Sequence, residues 1–173
     1  VARFGRIDIL FNNAAISWGI PAETMTLEEW NNFIAINLTS CFLTSKACFP
    51  EMVKAGGGKI INVGSIITKL GFGKLVHYAA AKGGMDHMTQ SLAQGWGRHN
   101  IQVNALLPGA TETKFASALT QNPVILNELL KHVPMNRVAQ PDEMAGAVLF
   151  LVSPAGSYTT GACLNVDGGY LLV

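Results

Sequence analysis

The sequence predicts an α/β protein in which a parallel sheet carries helices on both faces. Three observations predict it. Short apolar runs alternate with long amphipathic segments in the order strand, helix, strand, helix, strand, helix, strand. The strand runs are continuously apolar, as strands buried on both faces are. Hydrophobic residues make up 49% of the chain and charged residues only 13%, about half the usual charged share. A chain so composed buries much of its surface, some of it against copies of itself.

The elements follow in order. Ile7 to Phe11 is a β-branched apolar run that Asn12-Asn13 close as a turn. Thr26 with Glu29 three residues on is a capping box. The helix it opens is expected from Leu27 to Ala55, with Trp30, Phe33, Ile34, Leu38, Phe42 and Leu43 on its apolar face. Pro50 is expected to kink or end it. Gly56-Gly57-Gly58 punctuates the chain before a second strand, Lys59 to Val63. A second long helix is expected from Leu75 to Arg98, then a third strand from Ile101 to Leu107, closed by Pro108-Gly109. Residues 111 to 138 are weakly patterned, with helix expected from Pro123 to His132. Pro141 opens a helix to Val152, with Asp142 and Glu143 in its first turn. Leu164 to Val166 is the fourth strand. No internal repeat, low-complexity tract or second domain is visible, so residues 1–173 read as one domain.

Charge and cysteine content narrow the function. Twelve basic residues are scattered among eleven acidic ones for a net charge of +1, so there is no electrostatic footprint for nucleic acid. Cys41, Cys48 and Cys163 match no zinc spacing, and no metal site is expected. They read as buried reduced thiols, with Cys41 and Cys48 on one helix face. No uninterrupted apolar run is long enough to span a membrane, and no signal peptide is visible. No membrane partner and a cytoplasmic location are therefore expected.

Tyr78 and Lys82 are four residues apart on a predicted helix and share a face. An ammonium beside a phenol favours the phenolate, lowering the tyrosine pKa from its usual value of about 10. The tyrosine then becomes a usable general acid/base near neutral pH. Ser65 lies just past the second strand, at the carboxyl end where ligands bind in parallel sheets. It can donate a hydrogen bond to a substrate oxygen that Tyr78 also touches. Asn12-Asn13 and Pro108-Gly109 end the first and third strands in the same layer. Asn37 falls well inside the first long helix, where a buried amide needs partners or a task. A serine hydrolase would need G-x-S-x-G, and the sequence has Val63-Gly-Ser-Ile-Ile67. The four histidines are expected on the surface or in the core.

These segments together resemble the short-chain dehydrogenase/reductase family. Asn12-Asn13-Ala14-Ala15 is similar to that family's N-N-A-G motif, and Ile36-Asn37-Leu38 to its asparagine segment. Ile60 to Ser65 resembles its serine strand, and Tyr78-Ala-Ala-Ala-Lys82 its Y-x-x-x-K. Val103 to Gly109 with Thr113 resembles P-G-x-x-x-T, and Thr160-Gly161 with Val166 to Gly169 the closing T-G…V-D-G-G. The resemblance implies a Rossmann-like doubly wound sheet and reversible hydride transfer between NAD or NADP and an alcohol or carbonyl. Catalytic roles would fall to Tyr78 (acid/base), Lys82 (tuning Tyr78 and holding the nicotinamide ribose), Ser65 (polarising the substrate oxygen) and Asn37 (holding a relay water). Cofactor contacts would come from Asn12, Ala14, Ala15, Tyr78, Lys82, Pro108, Gly109, Thr111 and Thr113. The resemblance also implies a homodimer or homotetramer built through the two long helices and last strand. It implies a variable substrate lid from Thr113 to Met135, whose Phe115, Leu119, Val124, Ile125 and Leu129 suit an apolar or mixed small molecule.

Two departures bear on these expectations. Ala15 stands where the family usually has Gly. The family's glycine-rich phosphate loop, and the residue that selects NAD or NADP, would lie before Val1, in strands and helices of roughly 75 residues at about 30 per βαβ unit. Without those strands, Ile7 to Phe11 becomes a bare apolar edge. The expectation is therefore a partial sequence of a full enzyme. The alternative is a truncated, non-catalytic relative serving as an oligomeric scaffold.

Overall fold

The computed structural model of the chain describes residues 1–172, and the side chains of all of these except Ala118 and Leu119. Leu119 of the expected lid thus falls outside the described side chains. Four parallel strands form one sheet in the order β1-β2-β3-β4: β1 Ile9–Asn12, β2 Gly58–Val63, β3 Ile101–Pro108 and β4 Cys163–Val166. The register pairs Ile9 with Lys59, Ile60 with Val103, and Ala105 with Cys163.

Helices cover both faces. Ile60 and Ile61 are adjacent on β2 and so point to opposite sides. Ile60 packs with Met52, Ala93, Ile101 and Val103, under α2 (Ser40–Lys54) and α3 (Val76–Trp96). Ile61 packs with Leu106 and Leu151, under α6 (Glu143–Val152). The strand order never doubles back, yet the third crossover runs over the opposite face from the first two. Its hand is therefore opposite to theirs.

The first long helix departs from the expected regular one. The capping box of Thr26 and Glu29 opens α1 (Leu27–Ile34), both reciprocal bonds being present. A π-helical turn, Ala35–Thr39, then joins α1 to α2. Pro50 does not end α2, which continues to Lys54. Pro50 and Lys46 are both exposed, so the carbonyl left without its helical partner meets solvent. Burial of Met52 and the contact of Phe49 with Trp96, ring centroids 4.6 Å apart, hold the last turn. The run Leu27–Lys54 is long and apolar enough to cross a bilayer by length and composition. Here it carries buried polar groups, Asn37 and Ser45, that bond back to the β1 region.

Two stretches of the apolar pattern stay uncovered. Phe42 and Leu43 on α2 are exposed, although they continue the face that buries Phe33. On the β1 edge Ile9 and Phe11 are about half exposed, on the face away from Leu10 and the α2 core. The weakly patterned stretch holds α4 (Ser117–Thr120) and α5 (Pro123–Leu130), the latter capped by the Asn122 side chain.

Candidate active site

The candidate residues gather at the carboxyl ends of β1, β2 and β3. Ser65 follows β2 in extended backbone and caps the 3-10 turn Ile66–Lys69, its hydroxyl accepting from the Ile67 amide at 3.3 Å. Tyr78 and Lys82 lie on the sheet-facing side of α3, buried to 8% and 1% exposure. Lys82 Nζ donates to the Val63 carbonyl at 2.6 Å and sits 5.7 Å from the Tyr78 ring centroid. The sheet thus fixes the lysine directly beneath the strand end that presents Ser65.

Electrostatics correct one expectation. The Tyr78 phenol is not lowered: burial pushes it up to about 12, with the Ser65 hydroxyl pulling the other way. Burial pulls Lys82 down to about 8, opposed by Cys41 and Asp86. Loss of solvation outweighs the Ser65 hydrogen bond for Tyr78 and the neighbouring charges for Lys82. Near neutral pH the site therefore holds a protonated phenol beside a protonated lysine.

Asn37 finds its partners in the π-helical turn. Its Nδ2 donates to Ile16 O and to Phe33 O, both at 3.0 Å, and its Oδ1 accepts from the Ile16 amide at 3.1 Å. The amide clamps the segment after β1 to the long helix. Asn12 turns its side chain inward. Its Nδ2 donates to Asn62 Oδ1 at 2.8 Å, and its Oδ1 accepts from Thr44 at 2.7 Å. Only its main chain is left for a ligand. Ala14 is exposed and Ala15 half-buried beside it.

At the end of β3, Pro108 pairs with Val166. A Cβ on Gly109 would lie 2.7 Å from Asp167 Cα, so this close approach of two main chains requires glycine. The Thr111 hydroxyl donates to Gly109 O at 3.1 Å, and the Thr113 hydroxyl accepts from the Ala116 amide at 3.2 Å. These bonds shape the segment that brings Phe115 to the Tyr78 ring, centroids 6.3 Å apart. Among the described residues no group of three or more His, Cys, Asp or Glu converges as metal ligands would.

Two residues, Trp18 and Asp86, escaped the sequence reading. The Phe33 ring lies between Trp18 and His77, centroids 4.5 Å and 3.8 Å away, and His77 Nε2 is 3.2 Å from Trp18 O. Asp86 is 5% exposed one turn beyond Lys82. Its position four residues after Lys82 was the available signal.

Over residues 1–171 the chain matches the family model described as enoyl-(acyl carrier protein) reductase. The chain belongs to the short-chain dehydrogenase/reductase family. It is similar to the 3-oxoacyl-(acyl-carrier-protein) reductase FabG of Chlamydia pneumoniae, 41% identical over 167 residues, which are 96% of this chain and 66% of that protein. It is also similar to the 5-keto-D-gluconate 5-reductase of Escherichia coli K12, 39% identical, covering 97% of this chain and 66% of the relative. A solved family member, a gluconate 5-dehydrogenase from Burkholderia cenocepacia in complex with NADP and tartrate, superposes with a TM-score of 0.96 at 37% identity. That match covers 99% of this chain and 68% of the other. The chain thus spans just under two thirds of the length of the two curated short-chain dehydrogenase/reductase relatives.

Proposed function

We propose that the chain, acting as one domain, carries the reacting half of an NAD(P)-dependent oxidoreductase that interconverts a small alcohol and its carbonyl. The observation that carries this is the meeting of the Ser65 hydroxyl, the Tyr78 phenol and the Lys82 ammonium in one buried corner at the end of β2. The relatives' names, reductases and dehydrogenases of oxoacyl and gluconate compounds, agree with it.

The chain's own residues divide the work. Ser65 would donate a hydrogen bond to the carbonyl oxygen, and Tyr78, protonated near pH 7, would deliver its proton to the same oxygen. Asn37 would hold the β1 segment and a relay water. Phe115 would exclude water above Tyr78. The residues fit a nicotinamide riboside: Lys82 uses one of its three donors on Val63, and Asn13 and Ala14, after β1, are exposed. Main chain from Asn12 to Ala15, Pro108 and Gly109, with the Thr111 and Thr113 hydroxyls, would line that riboside. The nicotinamide, NAD or NADP, supplies or accepts the hydride when bound.

The reading includes a homo-oligomer, dimer or tetramer, for which the exposed Phe42, Leu43, Leu149 and Phe150 offer apolar surface. It includes a cytoplasmic location, consistent with three free cysteines, and no nucleic-acid or membrane partner. Tyr78→Phe tests it. Turnover of a carbonyl substrate with NADH or NADPH should fall by about 10²–10⁴-fold in kcat/KM. Unchanged turnover would reject Tyr78 as the acid/base, and a wild-type chain without turnover would leave the non-catalytic scaffold as the better description.

A further inference from the structure

Tyr78, Lys82 and Asp86 recur every four residues on α3 and so form one stripe facing the sheet. The first two belong to the proposed reaction; Asp86 has no role in it. Its carboxylate is 5% exposed, and neither oxygen has a hydrogen-bond partner among the described residues. The Thr68 hydroxyl, in the 3-10 turn that Ser65 caps, is also buried without a partner. A Cβ on Gly64, the residue before Ser65, would lie 3.3 Å from Asp86 Oδ1. The carboxylate therefore reaches the strand end itself.

A buried carboxylate without compensation is costly, so the groups facing it matter. From the turn come Thr68 and Lys69, from α3 His87 and Lys82, and from β4 Cys163. Thr68, Lys69, His87 and Lys82 each favour the ionised carboxylate, against burial. Lys82 in turn is faced by Cys41 from α2 and by Asp86, both of which favour its charged form. Asp86 is the negative side chain on the lysine's own helix face.

We propose that Asp86 is a positioning residue of the site: its carboxylate balances the Lys82 ammonium at the strand end and faces the Thr68 hydroxyl of the turn that presents Ser65. The inference rests on the reading of Ser65, Tyr78 and Lys82 as the reacting group. Removing the charge leaves Lys82 buried with less to hold its proton, and removing the Thr68 hydroxyl takes away a dipole that favours the carboxylate.

The test is NMR titration of the whole chain labelled with 13Cε-lysine, with Lys82 assigned through Lys82→Arg. Asp86→Asn should lower the Lys82 midpoint by about one unit. An unmoved midpoint overturns the charge balance. In Thr68→Val, which keeps the charge, the Asp86 carboxyl followed by 13Cγ-aspartate should titrate about one unit higher than in wild type. No change there overturns the placement of the Asp86 carboxylate against the turn, even if Asp86→Asn fails to fold. Neither readout requires turnover, so a negative result leaves the oxidoreductase reading to be judged by Tyr78→Phe alone.

Discussion

At the scale of single residues, burial decides the chemistry. Lys82 is held down to about 8, against an unfolded value of about 10.4. A base whose folded value is depressed destabilises the fold while both states are protonated. That cost is relieved as pH rises from about 8 toward the unfolded value. Wild type should therefore gain on Lys82→Met between about pH 8 and pH 10, by on the order of 2 kcal/mol in urea unfolding. A difference flat across that window would contradict it. Tyr78, raised to about 12, acts oppositely above about pH 10, where the unfolded chain gives up its proton first. Ser65, Tyr78 and Lys82 were legible as a set because strand ends and helix spacing fix which side chains meet. The direction of the Tyr78 shift was not, because spacing shows that an ammonium is near but not how deeply the phenol is buried.

At the scale of elements, the strands were legible almost to the residue, since continuous apolar runs have few other uses. The long helix was legible only in outline. Its capping box and length were written in the sequence, but nothing in a 3.6-residue pattern announces a π-helical turn. That turn exists for Asn37, whose amide takes both main-chain groups of Ile16. Asn37→Ala would leave those groups without their partner. It should cost about 2–4 kcal/mol in urea unfolding, whereas a loss under about 1 kcal/mol would mean that the turn holds without its amide. Pro50 was no guide to where the helix ends: it removes one helix hydrogen bond, but the carbonyl it frees faces solvent and the chain stays helical to Lys54.

At the scale of the molecule, α2, α6 and the β1 edge each leave neighbouring apolar residues exposed: Phe42 with Leu43, Leu149 with Phe150, and Ile9 with Phe11. Those on α2 and α6 predict self-association. Sedimentation velocity at micromolar concentration should give a species of at least twice 18.4 kDa, and Leu43→Glu with Phe150→Glu should shift it toward the monomer. A wild-type monomer across that range would refute the assignment of these faces. The sheet order carries a different consequence. In open α/β sheets a dinucleotide lies across the switch point, where strand order reverses and neighbouring loops diverge. The four strands here succeed one another without reversal. A reversal of strand order would therefore lie beyond the β1 edge, and the residues described above stand on the side of it that these four strands form. Under the proposed function, that side grips the reacting end of a dinucleotide.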